Sequence, residues 1–258
     1  MANLTLARND AVLTITINRP EVRNAIDGPT AGEMTEALHS FDGDDSLSVA
    51  VVTGAGGTFC AGADLSTIAP GHDRGLSIEP DGPAPLGFAR LVVGKPVIAA
   101  VEGHAVAGGL ELALWCDMRI ASETAIFGVF CRRFGVPLMD GGTVRLPRIV
   151  GQGNALDMIL SGRPVDATEA LRMGLAQRMV PAGAALVAAQ RIARDLTRLP
   201  QTCMRSDRLS AYEQWSLDLD GALQNEMQRG LDVIASGETG EGAQQFRSGS
   251  GRHGRPVP

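Results

Sequence analysis

The sequence predicts an α/β fold, and three features predict it: short apolar runs closed by glycine or proline turns, amphipathic stretches between and after them, and apolar content high enough for one large core. Of its 258 residues 44% are hydrophobic and 20% charged, which fits a globular domain with or without an appendage and excludes a wholly disordered chain.

Residues 11–17, AVLTITI, alternate apolar and polar side chains as a half-buried strand does, and Asn18-Arg19-Pro20 ends the run in a turn. A helix is expected from about Thr30 to Phe41. Residues 48–53, SVAVVT, form a second apolar run closed by Gly54-Ala55-Gly56-Gly57, and 97–101, VIAAV, a third after Lys95-Pro96. Between Ile68 and Phe88 glycine and proline dominate with neither helical nor strand period. This long loop reads either as a lid or binding loop or as disorder. From Gly153 onward the period is helical: 155–160, 167–174 and 184–199 carry apolar residues three and four apart, with Gly162 and Gly174 placed as C-terminal stops. After Ser236 apolar residues nearly vanish apart from Phe246, so the tail is expected to fray or to pack on a neighbour.

Lys and Arg number 23 against 29 Asp and Glu, and the net charge of −6 argues against nucleic acid or an anionic membrane as partner. A small anionic ligand stays compatible, since a few local arginines and backbone amides suffice to hold one. Cys60, Cys116, Cys131 and Cys203 show no pair at the two-residue spacing of zinc or redox sites, so free thiols and no metal are expected. The N-terminus lacks a basic start followed by an apolar run, and no segment reaches the roughly 18 apolar residues of a membrane span. A reducing cytoplasm fits this composition.

Two segments carry chemistry. Thr58 to Leu65, TFCAGADL, follows an apolar strand with small side chains that leave backbone N–H groups approachable; it is equally a tight turn avoiding clashes. Val97 to Asp117, VIAAVEGHAVAGGLELALWCD, reads as an apolar strand, a short excursion, two glycines and a helix opening near Gly109. A helix N-terminus exposes unpaired N–H groups and partial positive charge, so Gly108 could offer its amide to a developing oxyanion. Glu111 falls in that first turn, as a catalytic group or as ordinary N-terminal decoration.

Together these segments resemble the crotonase family, the enoyl-CoA hydratase/isomerase superfamily. The resemblance rests on Ala61-Gly62-Ala63-Asp64 and Ala107-Gly108-Gly109-Leu110-Glu111-Leu112-Ala113, on their order and separation, and on the flanking Arg19-Pro20, Asn24-Ala25, Gly141-Gly142-Thr143 and Arg145-Leu146. It runs from about residue 5 to 200. It implies a spiral of ββα units over residues 1–195 holding an acyl-CoA site, then a helical C-terminal region, 196–258, that builds a homotrimer or a dimer of trimers. It further implies that Ala63 and Gly108 hold the thioester carbonyl and stabilise its enolate. Arg23, Ala61, Asp64, Leu65, Gly109 and Cys131 would contact the acyl-CoA, with Arg23 a candidate phosphate partner. Coenzyme A would belong to the substrate, and no separate cofactor is implied.

The hydratase pattern uses two glutamates. Glu111 matches the first, and the second position falls on Cys131 within FGVFCRRFGVPLMDGG. A thiol substitutes poorly for a carboxylate at neutral pH, although Arg132 and Arg133 are placed to lower its pKa; the other reading makes Cys131 a packing residue. Asp140 is the alternative second carboxylate, or else a turn or helix N-cap before Gly141-Gly142. Three functions stay open: a hydratase using Glu111 with Asp140, an enoyl- or dienoyl-CoA isomerase with one proton shuttle, and a non-catalytic acyl-CoA-binding oligomer. His39, His72, His104 and His253 add little; His104, nearest the glycine pair, reads as structural or pocket-lining.

Overall fold

A computed structural model describes residues 2–68 and 74–251; His72 and His253 lie outside them. In chain order the elements are β1 (Leu4–Asn9), β2 (Val12–Ile17), α1 (Gly28–Gly43), β3 (Val49–Gly54), β4 (Val97–Val101), β5 (His104–Val106), α2 (Gly108–Trp115), β6 (Met118–Ser122) and β7 (Ile126–Gly128). Then follow α3 (Gly142–Val150), α4 (Gln152–Ser161), β8 (Val165–Asp166), α5 (Ala167–Arg172), β9 (Arg178–Val180), α6 (Ala185–Thr197), α7 (Gln201–Glu213), α8 (Leu219–Ala235) and α9 (Glu238–Arg247).

The larger sheet runs β1-β2-β3-β4-β6-β9, antiparallel at β1/β2 and parallel from β2 onward. Its central strands β3 and β4 are apolar nearly throughout because both faces are covered. One face packs on α1 and α2 through Met34, Leu38, Phe41, Leu110 and Leu114; the other packs on α6 through Ala185, Ala189, Ile192 and Ala193. The second sheet, β5-β7-β8, pairs β5 with β7 in parallel. The chain leaves β4 through Glu102-Gly103 and enters β5 at once, and leaves β6 through three residues to enter β7. Gly103, at φ 54, makes the first of these corners, where an added Cβ would stand 2.4 Å from the Gly57 carbonyl oxygen. The runs β1-β2-α1, β4-β5-α2 and β6-β7-α3 are ββα units as expected, while β3, β8 and β9 stand outside such pairs.

Two expectations change. The tail does not fray directly after Ser236: residues 238–247 form α9, with Glu238 and Glu241 in its first turn and Arg247 in its last, each suited to the helix dipole. The Glu238 carboxylate also accepts the amides of Thr202 and Cys203 at the start of α7. And residues 74–91 are tied down at several points, as a loop lining a site rather than a free one. Leu86 donates to Asp140, Thr35 Oγ1 to the Gly87 carbonyl, and Trp115 Nε1 to the Leu91 carbonyl.

Candidate active site

The site forms where four turns of the spiral meet. After β3 the chain returns through Cys60, bridged to Ala105 of β5, and Ala63, bridged to Ile26. In the second bridge Ile26 donates to the Gly62 carbonyl and Asp64 donates to the Ile26 carbonyl, so the ladder leaves the Ala63 N–H unused. Gly108 is the first residue of α2, where no intrahelical acceptor exists for its N–H. Neither N–H has an acceptor among the described residues. They are close: a Cβ on Gly108 would stand 3.5 Å from the Ala63 nitrogen, and one on Gly62 would stand 2.7 Å from the Gly108 nitrogen. Ala107 holds this arrangement at φ 53 and ψ −125, a backbone conformation that costs a non-glycine residue on the order of 1–3 kcal/mol.

The next turn of α2 brings Glu111, buried at 3% exposure. Its Oε1 accepts the Asp140 amide at 2.9 Å and the Gly142 amide at 2.8 Å, the latter opening α3. Its Oε2 has no protein partner among the described residues. Burial pushes the Glu111 carboxyl up to about 7; the Gly142 amide opposes this and the charge of Asp140 adds to it. Asp140 is equally buried, its Oδ1 accepts the Leu86 amide at 3.0 Å, and burial raises its pKa. It does not cap α3: Gly141 stands at that position.

Ala61, Ala63, Leu65, Gly108, Glu111, Cys131 and Asp140 line one cavity, walled otherwise by apolar side chains such as Leu76, Leu86, Phe130 and Met139. Three residues expected at the site do not line it. Asp64 is buried beneath, its carboxylate taken by Arg19 Nη2 at 3.0 Å and by the amide and hydroxyl of Ser66. Gly109 lets α2 approach the 59–62 segment, for a Cβ there would stand 2.0 Å from the Cys60 carbonyl oxygen. Arg23 is exposed beside Ala61, whose amide its carbonyl accepts. Cys131 is buried, and burial followed by the charge of Glu111 raises its pKa. Arg132 opposes the rise by its charge, as expected, without overcoming burial, while its Nε donates to the Ile159 carbonyl; Arg133 donates to that of Gly162. His104 is exposed on β5, away from the cavity.

Leu86, Arg19 and Asp27 matter to the site without standing out in the sequence. Arg19 Nη2 lies 3.0 Å from both Asp27 Oδ2 and Asp64 Oδ2, so one guanidinium pins the loop carrying Ala63 to the start of α1. Only the Arg19-Pro20 dipeptide hinted at it.

The comparisons agree with this geometry. A family model described as enoyl-CoA hydratase/isomerase matches residues 7–248. The chain is 33% identical over 244 residues to a probable enoyl-CoA hydratase of Mycobacterium bovis, covering 94% of both chains. It is 34% identical over 247 residues to the 2,3-dehydroadipyl-CoA hydratase of Escherichia coli, covering 95% of this chain and 96% of that one. An enoyl-CoA hydratase structure from Mycobacterium tuberculosis superposes with a TM-score of 0.91 at 32% identity, covering 100% of this chain and 98% of the other. The chain therefore belongs to the enoyl-CoA hydratase/isomerase family, the crotonase superfamily.

Proposed function

We propose that this protein adds water to 2-enoyl-CoA thioesters. The observation that carries the reading is the convergence of two unused backbone donors, Ala63 N–H and Gly108 N–H, with two buried carboxylates on one apolar cavity. The thioester oxygen sits between the two amides. The Oε2 of ionised Glu111 takes a proton from water as its oxygen bonds to C3, and the π electrons move onto the thioester oxygen as an enolate that the amides stabilise. Asp140, which lines the same cavity and whose pKa burial raises, is the proposed relay that returns a proton to C2. Arg23, exposed beside Ala61, is the proposed phosphate contact. The test is a panel of enoyl-CoA thioesters followed by mass and ultraviolet absorbance: hydration adds one water and removes the conjugated absorbance.

A second reading, double-bond isomerisation, is favoured by one observation. Cys131 occupies the second-glutamate position, and burial keeps its thiol protonated. Glu111→Gln and Asp140→Asn separate the two. In a hydratase each lowers turnover by roughly 10²–10⁴-fold with little change in thioester binding; in an isomerase one abolishes migration and the other changes it little. Cys131→Glu raises hydration only if the cavity is otherwise built for water. Wild-type turnover by both carboxylate variants would leave the reading of a non-catalytic binder.

The assembly proposed is a homotrimer or a dimer of trimers. Its support is α8, where Leu219, Leu223, Met227, Leu231 and Ile234 recur at spacings of three and four yet are 49–75% exposed. Such a stripe is costly in a lone chain in water. A monodisperse monomer in light scattering at micromolar concentration rejects it.

A further inference from the structure

Beyond the α2–α3 wall of the site lies a second cavity with a different character. Leu114, Trp115, Met139 and Trp215 supply apolar wall, and Arg90, Arg119, Arg145, Arg148 and Arg208 supply cations. Asp117 is the one carboxylate among its lining residues, and Arg208 already holds it at 2.8 Å, with the Tyr212 hydroxyl donating to the same oxygen. Arg119 is buried against the carbonyls of Ala113, Cys116 and Leu175. Arg145 donates to the carbonyls of Asp140 and Ala89, and Arg90 to those of Pro80 and Gly82. Arg148 touches the Trp215 ring, its guanidinium 4.8 Å from the centroid. Carbonyls satisfy N–H groups without cancelling charge. Among the described residues no carboxylate forms an ion pair with Arg90, Arg119, Arg145 or Arg148, in a chain whose net charge is −6.

Arg145 and Arg148 also stand three apart on α3, where like charges repel. Burial lowers the Arg145 pKa, and Arg148 pushes the same way. An anion between them would relieve both effects.

The two cavities are contiguous along α2. Glu111 lines the first, while Leu114 and Trp115 line the second one turn on, about 6 Å further along the axis. Met139 lines both, and the adjacent Asp140 and Gly141 line one each. An acyl chain whose C3 lies at Glu111 and which continues past Met139 would reach the arginines. We infer that the second cavity receives a carboxylate at the far end of the acyl chain, so that thioesters ending in an anionic group are preferred to those ending in a methyl. The occupant's identity rests on the acyl-CoA reading above; the cationic cavity does not.

Equilibrium binding tests this without requiring turnover. Saturated six- and eight-carbon acyl-CoA thioesters, each as the methyl-ended form and its ω-carboxyl analogue, are titrated calorimetrically into the full-length protein. The ω-carboxyl member of at least one pair is expected to bind ten-fold or more tightly. That ratio is expected to fall toward one in Arg148→Gln and in high salt, while Arg148→Lys keeps most of it. Equal affinities for both members of both pairs in the wild type would overturn the inference and leave the acyl-CoA reading standing. That would also be the result if a second copy of the chain filled the cavity. Failure of all four thioesters to bind overturns both. A ratio unchanged in Arg148→Gln overturns the assignment to this cavity.

Discussion

Glu111 gives up stability whenever it holds a charge in its buried place beside the cavity. Its pKa stands at about 7 in the folded chain against an ordinary 4.5, so the fold favours the protonated carboxyl. The stabilising contribution is complete below about pH 4.5 and is lost as pH rises through about 7, leaving an ionised buried carboxylate that costs on the order of 3 kcal/mol. Glu111→Gln keeps an acceptor for the Asp140 and Gly142 amides. It is expected to unfold in denaturant at higher concentration than the wild type at pH 8, with the gap closing by pH 4.5; equal midpoints at pH 8 would refute the assignment. Turnover by the wild type should rise with pH across an acid limb centred near 7, because the base must be ionised. The oxyanion hole has its own test. Proline suits the first helical position and removes only the N–H, but a Cβ on Gly108 would stand 2.2 Å from Leu86 Cδ1. Gly108→Pro is therefore best made in a Leu86→Ala background, where turnover is expected to fall about 100-fold or more against Leu86→Ala alone. Gly108 and Glu111 were legible in the sequence because a glycine pair opening a helix is a local pattern. Asp140 was legible only as a carboxylate with two readings, since its choice depends on the Leu86 amide 54 residues away.

At the scale of elements, the loop carrying Ala63 is held by charge in addition to the apolar packing of Phe59 and Cys60. Arg19 bridges Asp27 and Asp64, and Asp27 also receives Arg74 Nε at 2.8 Å. Arg19→Met leaves Asp64 buried without its cation and is expected to cost roughly 3–5 kcal/mol in chemical denaturation, with turnover falling as the Ala63 amide drifts. Adding Asp64→Leu should restore much of the stability; a double variant no more stable than the single one would show that the pair is not the anchor. The longer elements were readable. The strands predicted over 11–17, 48–53 and 97–101 and the helix over 30–41 agree with β2, β3, β4 and α1 to within two residues at each end. The strands β5, β7 and β8 were not readable, because two or three residues show no period, and they exist through their partners in the second sheet. α9 was missed because its helix signal lies in end charges rather than an apolar stripe.

For the whole molecule, Ala63 after β3, Gly108 and Glu111 at the start of α2, and Asp140 before α3 are spread over residues 63 to 140 yet gathered on one cavity. The sheet that positions them pairs β2 with β3, β3 with β4 and β4 with β6 in parallel, each across an intervening crossover. Such non-local pairings must bear their loop-closure entropy before any contact rewards them, which makes folding slow. Among the helices after residue 142, the pairs α3–α4 and α7–α8 meet over short sequence separations, so part of the helical structure forms from local contacts even though α6 packs back on the sheet. On dilution from denaturant the far-ultraviolet helical signal should therefore recover well before activity, with no partial activity at intermediate times. A site gathered in this way is the last thing the chain acquires on refolding.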